Sequence, residues 1–302
     1  MRSIQDILRR EIAELPPRVA AMCNKIEAAH PGRIQAFIYY GSSLREMDNP
    51  EKMLDFYVLV DSYRKTHANP LRAVLNVLIP PAVYYLEHKE DGVLSSCKYS
   101  ILSLNAFERR CSGKALLSQV WGRFSQPCAL IRPISGEVTD RIITARETAI
   151  RHIVSETAPL LGTTTTTPTE LWARGFYESY RTELRPESSL ERSAEIVERY
   201  AERYRDITAN LYETKGDTLT LPQQNATPAK LRWFLRRLIG KPATAIRVIN
   251  SAATFNNGLD YILRKLKNHS GVEYQPTPFE RRHYILCSPV IGWKLWRKGA
   301  FR

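Results

Sequence analysis

The sequence predicts an α+β protein: a mixed-sheet first part, a helical middle and a basic amphipathic helical end. Three observations predict it. Up to about residue 135, short runs rich in β-branched and aromatic residues alternate with helical segments. From about residue 138, apolar residues recur at helical spacing. The charge is also lopsided. Of a net +13 over 302 residues, residues 226–302 hold six Lys and nine Arg against Asp260, Glu273 and Glu280, a net of +12. The boundaries expected from these shifts give three parts, 1–135, 136–225 and 226–302.

In chain order, residues 1–30 read as two short helices broken at Leu15-Pro16-Pro17. Residues 33–61 read as strand, loop, strand. "VLIPPAVYYLEH" and "SCKYSILSL" are expected as strands, "AFERRCSGKALLSQVWGRFSQP" as a helix, and "CALIRPI" as a short strand. "VTDRIITARETAIRHIVSETAPLL" has helical spacing, and the tract Thr163–Thr167 reads as a loop. Thr167-Pro168-Thr169-Glu170 is a capping box with Pro at the first helical position. A second capping box, Ser188 to Glu191, opens a helix expected to bury Leu190, Ala194, Val197, Ala201, Tyr204, Ile207 and Leu211. "ETKGDTLTLPQQNATP" reads as a linker.

Five scattered cysteines form no CxxC pair and have no His cluster beside them, which argues against zinc and against a disulfide scaffold. A reducing, cytoplasmic compartment is the simplest reading. The N-terminal "MRSIQDILRREIAELPP" mixes acids with bases and is expected to be an ordinary amphipathic helix. No apolar stretch approaches the roughly 20 residues that span a bilayer.

The segment with chemistry is "FIYYGSSLREMDNPEKMLDFYVLVD", residues 37–61. Gly41 has no Cβ and lets the backbone approach a phosphate. Ser42 and Ser43 offer hydroxyls and N–H groups to phosphate oxygens. Asp55, on the next strand, can hold Mg²⁺ against the same phosphates. A Gly-Ser turn followed by a strand-borne Asp is the arrangement of nucleotidyltransferases of the polymerase-β type, in which the metal assists in-line attack on the α-phosphorus of a nucleoside triphosphate. The usual second carboxylate, two residues after the first, is replaced by Tyr57. Asp61 is six residues from Asp55, roughly 20 Å along a strand, and cannot share its metal.

Several stretches, taken in order, resemble one family. "YYGSS", "MLDFYVLVD", "VYYLEH", "KYSILS" and "LSQVWGRFSQPCALI" are similar to successive motifs of the mitochondrial-type phosphatidate cytidylyltransferases, the translocator assembly and maintenance family. "ESYRTELRPE" and "RVINSAATFNNG" are more loosely similar to later segments. The resemblance covers about residues 35–190 well. It implies the reaction of CTP with phosphatidic acid to give CDP-diacylglycerol and pyrophosphate, with Mg²⁺. It further implies that Tyr40, Gly41, Ser42 and Ser43 hold the nucleotide, that Asp55 is the metal ligand, that Lys98 neutralises phosphate charge, and that Arg123 does likewise or clamps the phosphatidate phosphate. Gln126 stands where the family carries Lys before Pro. The second metal ligand is sought among Glu46, Asp48, Glu87 and Glu183, with Glu87 favoured because it follows the matched Tyr84-Tyr85 pair. Tyr180, Glu183 and Arg185 are candidates to reach the site from the helical part.

The expected partners are CTP, phosphatidic acid and an anionic membrane surface, with no nucleic acid. "AKLRWFLRRLIG" places Leu231, Phe234, Leu235 and Leu238 on one stripe, with Lys230, Arg236 and Arg237 off it. Ile246, Ile249, Ala253, Leu259, Ile262, Leu263 and Leu266 continue the pattern, and Trp293 and Trp296 lie beside Lys294, Arg297 and Lys298. The expectation is peripheral binding to the inner face of the plasma membrane. The competing expectations are a nucleotidyltransferase acting on RNA, and a non-catalytic membrane-associated protein on a decayed nucleotidyltransferase fold.

Overall fold

The structure, a computed structural model, describes residues 2–300 except 12–13, 48, 50–51, 91–92, 185–187, 253–258, 260–262, 264–265 and 268–269. Asp48, Arg185, Ala253 and Ile262 lie outside the described residues.

The chain is α+β, a mixed sheet followed by helices. Its first part is a five-stranded sheet built from β1 (Ile34–Tyr40), β2 (Leu54–Val60), β3 (Ala82–Glu90), β4 (Val93–Ser103) and β5 (Ala129–Ile131), in the order β3-β4-β2-β1-β5. The β2–β4 pair is parallel and the other three are antiparallel. A parallel pair needs a crossover, and α4 (Tyr63–Thr66), α5 (Pro70–Leu78) and β3 supply it. In β2 every residue except Asp55 is buried, as expected of a central strand covered on both faces.

Laterally paired residues point to the same side of a sheet. One side presents Ala36, Ile38, Tyr40, Tyr57, Leu59 and Leu102 to helices α6 (Leu104–Cys111), α7 (Gln119–Phe124) and α8 (Gly136–Leu161). The other presents Phe37, Tyr39, Phe56, Val58, Tyr99 and Ile101 to α2 (Pro17–Ala29). Helix α2 meets it with Val19, Met22, Cys23 and Ile26, spaced three and four apart. Helix α1 (Ile4–Arg9) packs on α8, and one continuous core runs from Ile4 to Trp233.

Five stretches differ from the sequence reading. "VLIPPAVYYLEH" is not strand throughout, because Val77 and Leu78 end α5 and β3 begins at Ala82. Residues 104–124 form two helices, since Gly113 has φ +74° and leaves the helical path. The second capped helix also breaks, at Tyr200, into α10 (Ser189–Arg199) and α11 (Ala201–Ala209). Its buried face is then Ser193, Ile196 and Val197, while Leu190 is 65 % exposed. Finally, the threonine tract contains strand β6 (Thr165–Thr166) and the expected linker contains β7 (Thr214–Lys215) and β8 (Thr218–Thr220), which together make a small sheet. β7 and β8 pair with each other as a short hairpin, and β6 pairs with β8 from about fifty residues away, which local periodicity does not reveal. The capping box at Thr167 and Glu170 is formed and starts α9 (Pro168–Tyr180).

Helix α12 (Ala226–Ala252) lies against α8. Its inward face is Ala229, Trp233, Arg236 and Gly240, and its outward face carries Leu231, Phe234, Leu235 and Leu238. Trp233 Nε1 donates to the Glu156 carbonyl at 3.0 Å, and Arg237 pairs with Glu178 at 2.8 Å. The last described helix, Tyr284–Arg297, packs back on α12 and leaves Trp293 and Trp296 outward.

Candidate active site

The site begins where β1 ends. Gly41 has φ +93°, a conformation that favours glycine, and the chain enters a single helical turn, α3 (Ser42–Arg45). Position 41 also has no room for a side chain, because a Cβ there would lie 2.9 Å from Asp55 Oδ2. The turn and the carboxylate are therefore in direct contact, as the strand–turn–strand reading requires.

The sheet register makes a polar row across the end of the helix-facing side. Tyr40 pairs with Asp55, Asp55 with Lys98, and Lys98 with Tyr85. Lys98 Nζ lies 3.3 Å from Asp55 Oδ1, with the two side chains 29 % and 16 % exposed. Oδ1 is buried and, beside that ammonium, has no aligned hydrogen bond.

Arg123, from α7, closes the row from above. Its guanidinium lies 5.2 Å over the Tyr40 ring, donates to the Tyr57 hydroxyl at 3.3 Å and pairs with Glu183 at 3.6 Å. Burial opposes its charge, but Tyr40, Tyr57, Glu183 and Asp55 outweigh it, and its pKa is held well above the ordinary value. Glu183, from the turn after α9, therefore does reach the site from the helical part. Tyr180 reaches its edge, donating to Gln126 Oε1 at 3.1 Å.

Other expected residues fall elsewhere. Ser42 is half-buried at the turn, whereas Ser43 is wholly buried and presents no hydroxyl to a ligand at the surface. Glu46 pairs with Lys52 at 3.1 Å, and Asp61 pairs with Arg33 at 3.2 Å. Glu87 accepts the Tyr85 hydroxyl and pairs across the ladder with Ser96. It is two strands and two residues away from Asp55, roughly 12 Å between Cα positions, at the limit of reach for sharing one ion.

Two features of the site were missed in the sequence. A small cavity beside the Gly41 turn is bordered by Tyr40, Gly41, Arg45, Arg123, Gln126 and Tyr200. Arg45 is buried there, with Nη2 lacking a hydrogen-bond partner among the described residues and only a 3.9 Å approach to Glu195. Arg45 is four residues after Gly41, and one helical turn of spacing was the available signal. Tyr200, more than 150 residues away, gave none.

Among the described residues no three His, Cys, Asp or Glu side chains cluster to hold a metal. Mg²⁺ is commonly held by one or two carboxylates together with phosphate oxygens. Asp55 offers one carboxylate with an oxygen free of aligned hydrogen bonds, which fits an ion that takes its other ligands from a bound nucleotide.

No family model matches the chain, and no curated protein matches it. Among solved structures it is similar to a nucleotidyltransferase-like protein from Exiguobacterium sibiricum 255-15, with 12% identity over 94% of this chain and 92% of that one and a TM-score of 0.27. A likeness at that TM-score carries no argument, so the site's own geometry bears the functional reading.

Proposed function

We propose that this chain is a Mg²⁺-assisted nucleotidyltransferase that joins CTP to phosphatidic acid, releasing pyrophosphate and leaving CDP-diacylglycerol. One observation carries the transferase reading: the Gly41 turn rests directly on the Asp55 carboxylate, flanked by Lys98 and Arg123. That arrangement gives phosphates a close backbone approach, one metal ligand and two cations. A non-bridging oxygen of the acceptor phosphate attacks the α-phosphorus. The bond from that phosphorus to the bridging oxygen breaks, and its electron pair leaves on pyrophosphate. A bound Mg²⁺ neutralises charge on the triphosphate. Asp55 would hold it, Lys98 and Arg123 lower the charge around the phosphates, and the Gly41 turn fixes their position. The choice of CTP and phosphatidate rests on the sequence resemblance.

The lipid acceptor is supported by surface character. On α12 the outward Leu231 and Leu238 are 57 % and 60 % exposed. Among the described residues no helix is long and apolar enough to cross a membrane, so the contact proposed is peripheral. The expected basic flank changes in detail: Arg236 pairs with Glu156, and Arg237 with Glu178, leaving Lys230 and Lys241 as the exposed cations beside the stripe. Because Trp233 belongs to the core, the stripe is best tested by substitution. Phe234→Ser with Leu238→Ser should weaken co-sedimentation with phosphatidate vesicles at least several-fold and leave the melting temperature nearly unchanged. Undiminished vesicle binding would remove the support for a membrane face.

The deciding assay supplies labelled CTP, Mg²⁺ and phosphatidate vesicles and looks for pyrophosphate and a lipid-soluble nucleotide. Transfer of nucleotide to RNA instead would favour the RNA reading. A non-catalytic role is favoured by one observation, that the Asp55 carboxylate is already paired with Lys98 and belongs to no metal-holding cluster among the described residues; absence of turnover with every nucleoside triphosphate would establish it.

A further inference from the structure

A buried cation beside the Gly41 turn has a donor that the protein does not use. Arg45 ends the single turn α3, four residues after Gly41. The turn is anchored: Ser43 and Leu44 are buried, and the Arg45 carbonyl accepts from Arg199 Nη1 at 3.1 Å. The Arg45 side chain is only 8 % exposed, and its Nη2 is buried with no hydrogen-bond partner among the described residues. Its ion pair is with Glu195, whose Oε1 lies 3.9 Å from Nε, beyond hydrogen-bond reach. The other Glu195 oxygen accepts from Arg192 at 2.6 Å.

Arg45 borders the small cavity beside Gly41, and Arg123 of α7 borders the same cavity. Arg123 is paired with Glu183 and bonded to Tyr57, so it brings a second guanidinium but not an idle one. Gln126, also in the wall, is satisfied at both ends: Nε2 donates to the Gly122 carbonyl at 3.2 Å, and Oε1 accepts from Tyr180 at 3.1 Å. Among the described residues no carboxylate lines the cavity. Burying a charged donor without an acceptor is costly. An anionic oxygen in the cavity would supply the acceptor that the wall lacks. Phosphate oxygens match a guanidinium fork well.

Position along the chain indicates which phosphate. The phosphorus under attack has to lie at the metal on Asp55, and Gly41 is packed against that carboxylate. Arg45 is one helical turn beyond Gly41, about 6 Å along the axis, at a cavity whose lining includes neither Asp55 nor Lys98. A triphosphate laid across Gly41 with its α-phosphorus at Asp55 therefore carries its terminal phosphates towards Arg45. A base carbonyl there would offer one neutral acceptor, whereas two guanidiniums favour charge.

We propose that Arg45, together with Arg123, binds the β- and γ-phosphates of the nucleotide, the part that departs as pyrophosphate, at the cavity beside the Gly41 turn. Calling the anion this end of a nucleotide rests on the proposed transfer reaction; an oxyanion site at Arg45 does not.

The test is calorimetric titration of the full-length protein with inorganic pyrophosphate, CTP, CMP and sn-glycerol 3-phosphate. EDTA is present, so that no metal on Asp55 contributes, and each variant is also melted. Arg45→Gln should weaken pyrophosphate and CTP by roughly tenfold to a hundredfold, the worth of a charge-assisted hydrogen bond. CMP affinity should change by less than about threefold. The melting temperature of the free variant should not fall, because the change removes an unpaired buried donor rather than a bond. Arg45→Lys, which keeps the charge and loses the fork, should bind with intermediate affinity, and it carries the test if Arg45→Gln does not fold. A wild-type protein that does not bind pyrophosphate, or variants that keep its full affinity, overturn the proposal. Equal losses for CMP and CTP place another part of the nucleotide at Arg45 and overturn it as well. Glycerol 3-phosphate as dependent on Arg45 as pyrophosphate gives the cavity to the acceptor and overturns the assignment to the leaving group. Arg45-dependent pyrophosphate binding in a protein that shows no transfer supports the site and removes the transfer reading.

Discussion

The two sides of the central sheet are built from alternate residues of the same strands, yet they meet different chemistry. At the end of the helix-facing side, Tyr40, Asp55 and Lys98 make a partly exposed charged row under Arg123. On the α2 side a largely buried cluster of histidine, tyrosine and asparagine side chains takes the place of that row. His67 Nδ1 lies 2.8 Å from the Tyr84 hydroxyl and Nε2 lies 3.0 Å from Asn76 Nδ2, while Asn76 Oδ1 accepts from Ala82 N at 2.6 Å. His30 Nε2 contacts the Tyr99 hydroxyl at 3.2 Å, and the Tyr84 and Tyr99 rings stack. The Asn76 amide can only donate, so His67 Nε2 accepts and Nδ1 carries the proton. The charged row lies at a partly solvated end of the sheet, whereas the buried histidine, tyrosine and asparagine groups under α2 pair with one another, which avoids the cost of burying unpaired polar atoms.

The largest effect expected from breaking this contrast is at Asp55. Asp55→Asn should cut transfer about a thousandfold or more, since a lost metal ligand removes several kcal/mol of transition-state stabilisation. The melting temperature should be little changed, because the residue is partly solvated. Turnover and a thermal melt on one preparation check both halves, and near-normal turnover would refute the metal assignment.

The neutral side should show itself in pH dependence. Burial first, then His30 and Arg72, push the His67 pKa down to about 4. The unfolded chain takes up that proton near pH 6.5. Between these values the unfolded state binds more protons, so the His67 contribution to stability is full above about pH 6.5 and is lost as pH falls towards 4. Up to about 3 kcal/mol is involved. Denaturant titrations from pH 7.5 to 4 should show this slope, and His67→Gln should flatten it. A slope unchanged in that variant would mean that other groups produce it.

Gly41→Ala sharpens the contrast at the turn. A left-handed φ and a Cβ pressed on Asp55 should cost about 2 kcal/mol of stability and reduce turnover tenfold or more. The smallest effect belongs to Tyr99→Phe, which removes only the hydroxyl facing His30. About 1 kcal/mol should be lost with turnover unchanged. A catalytic defect there would show that the two sides are coupled.

What could be read in advance was local. Gly41 and Asp55 stood out because a turn and a strand each have short-range signatures, and Lys98 came into register once β2 and β4 paired. The capping box at Thr167 was legible for the same reason. Arg45 was one helical turn from a residue already chosen, yet only its burial beside the cavity marks it out. Tyr200 had no mark at all, because its sequence neighbours do not reveal that the end of α10 borders the Gly41 cavity.

The sequence by itself determined the alternation that gives the strands two sides, the turn at Gly41, the helix caps and the concentration of positive charge after residue 225. These follow from backbone preferences and from spacing within a few residues. Tertiary structure decided which way each ambiguous surface faces. On α12 the regular stripe of Leu231, Phe234, Leu235 and Leu238 looks like a core face but is outward, while Trp233, Arg236 and Gly240 are inward. The reason is that burial of a helix face is settled by its partner. Glu156 accepts both the indole N–H, on its carbonyl, and the Arg236 guanidinium, on its carboxylate, and Thr182 leaves room only for glycine. Those contacts fix the rotation of the helix.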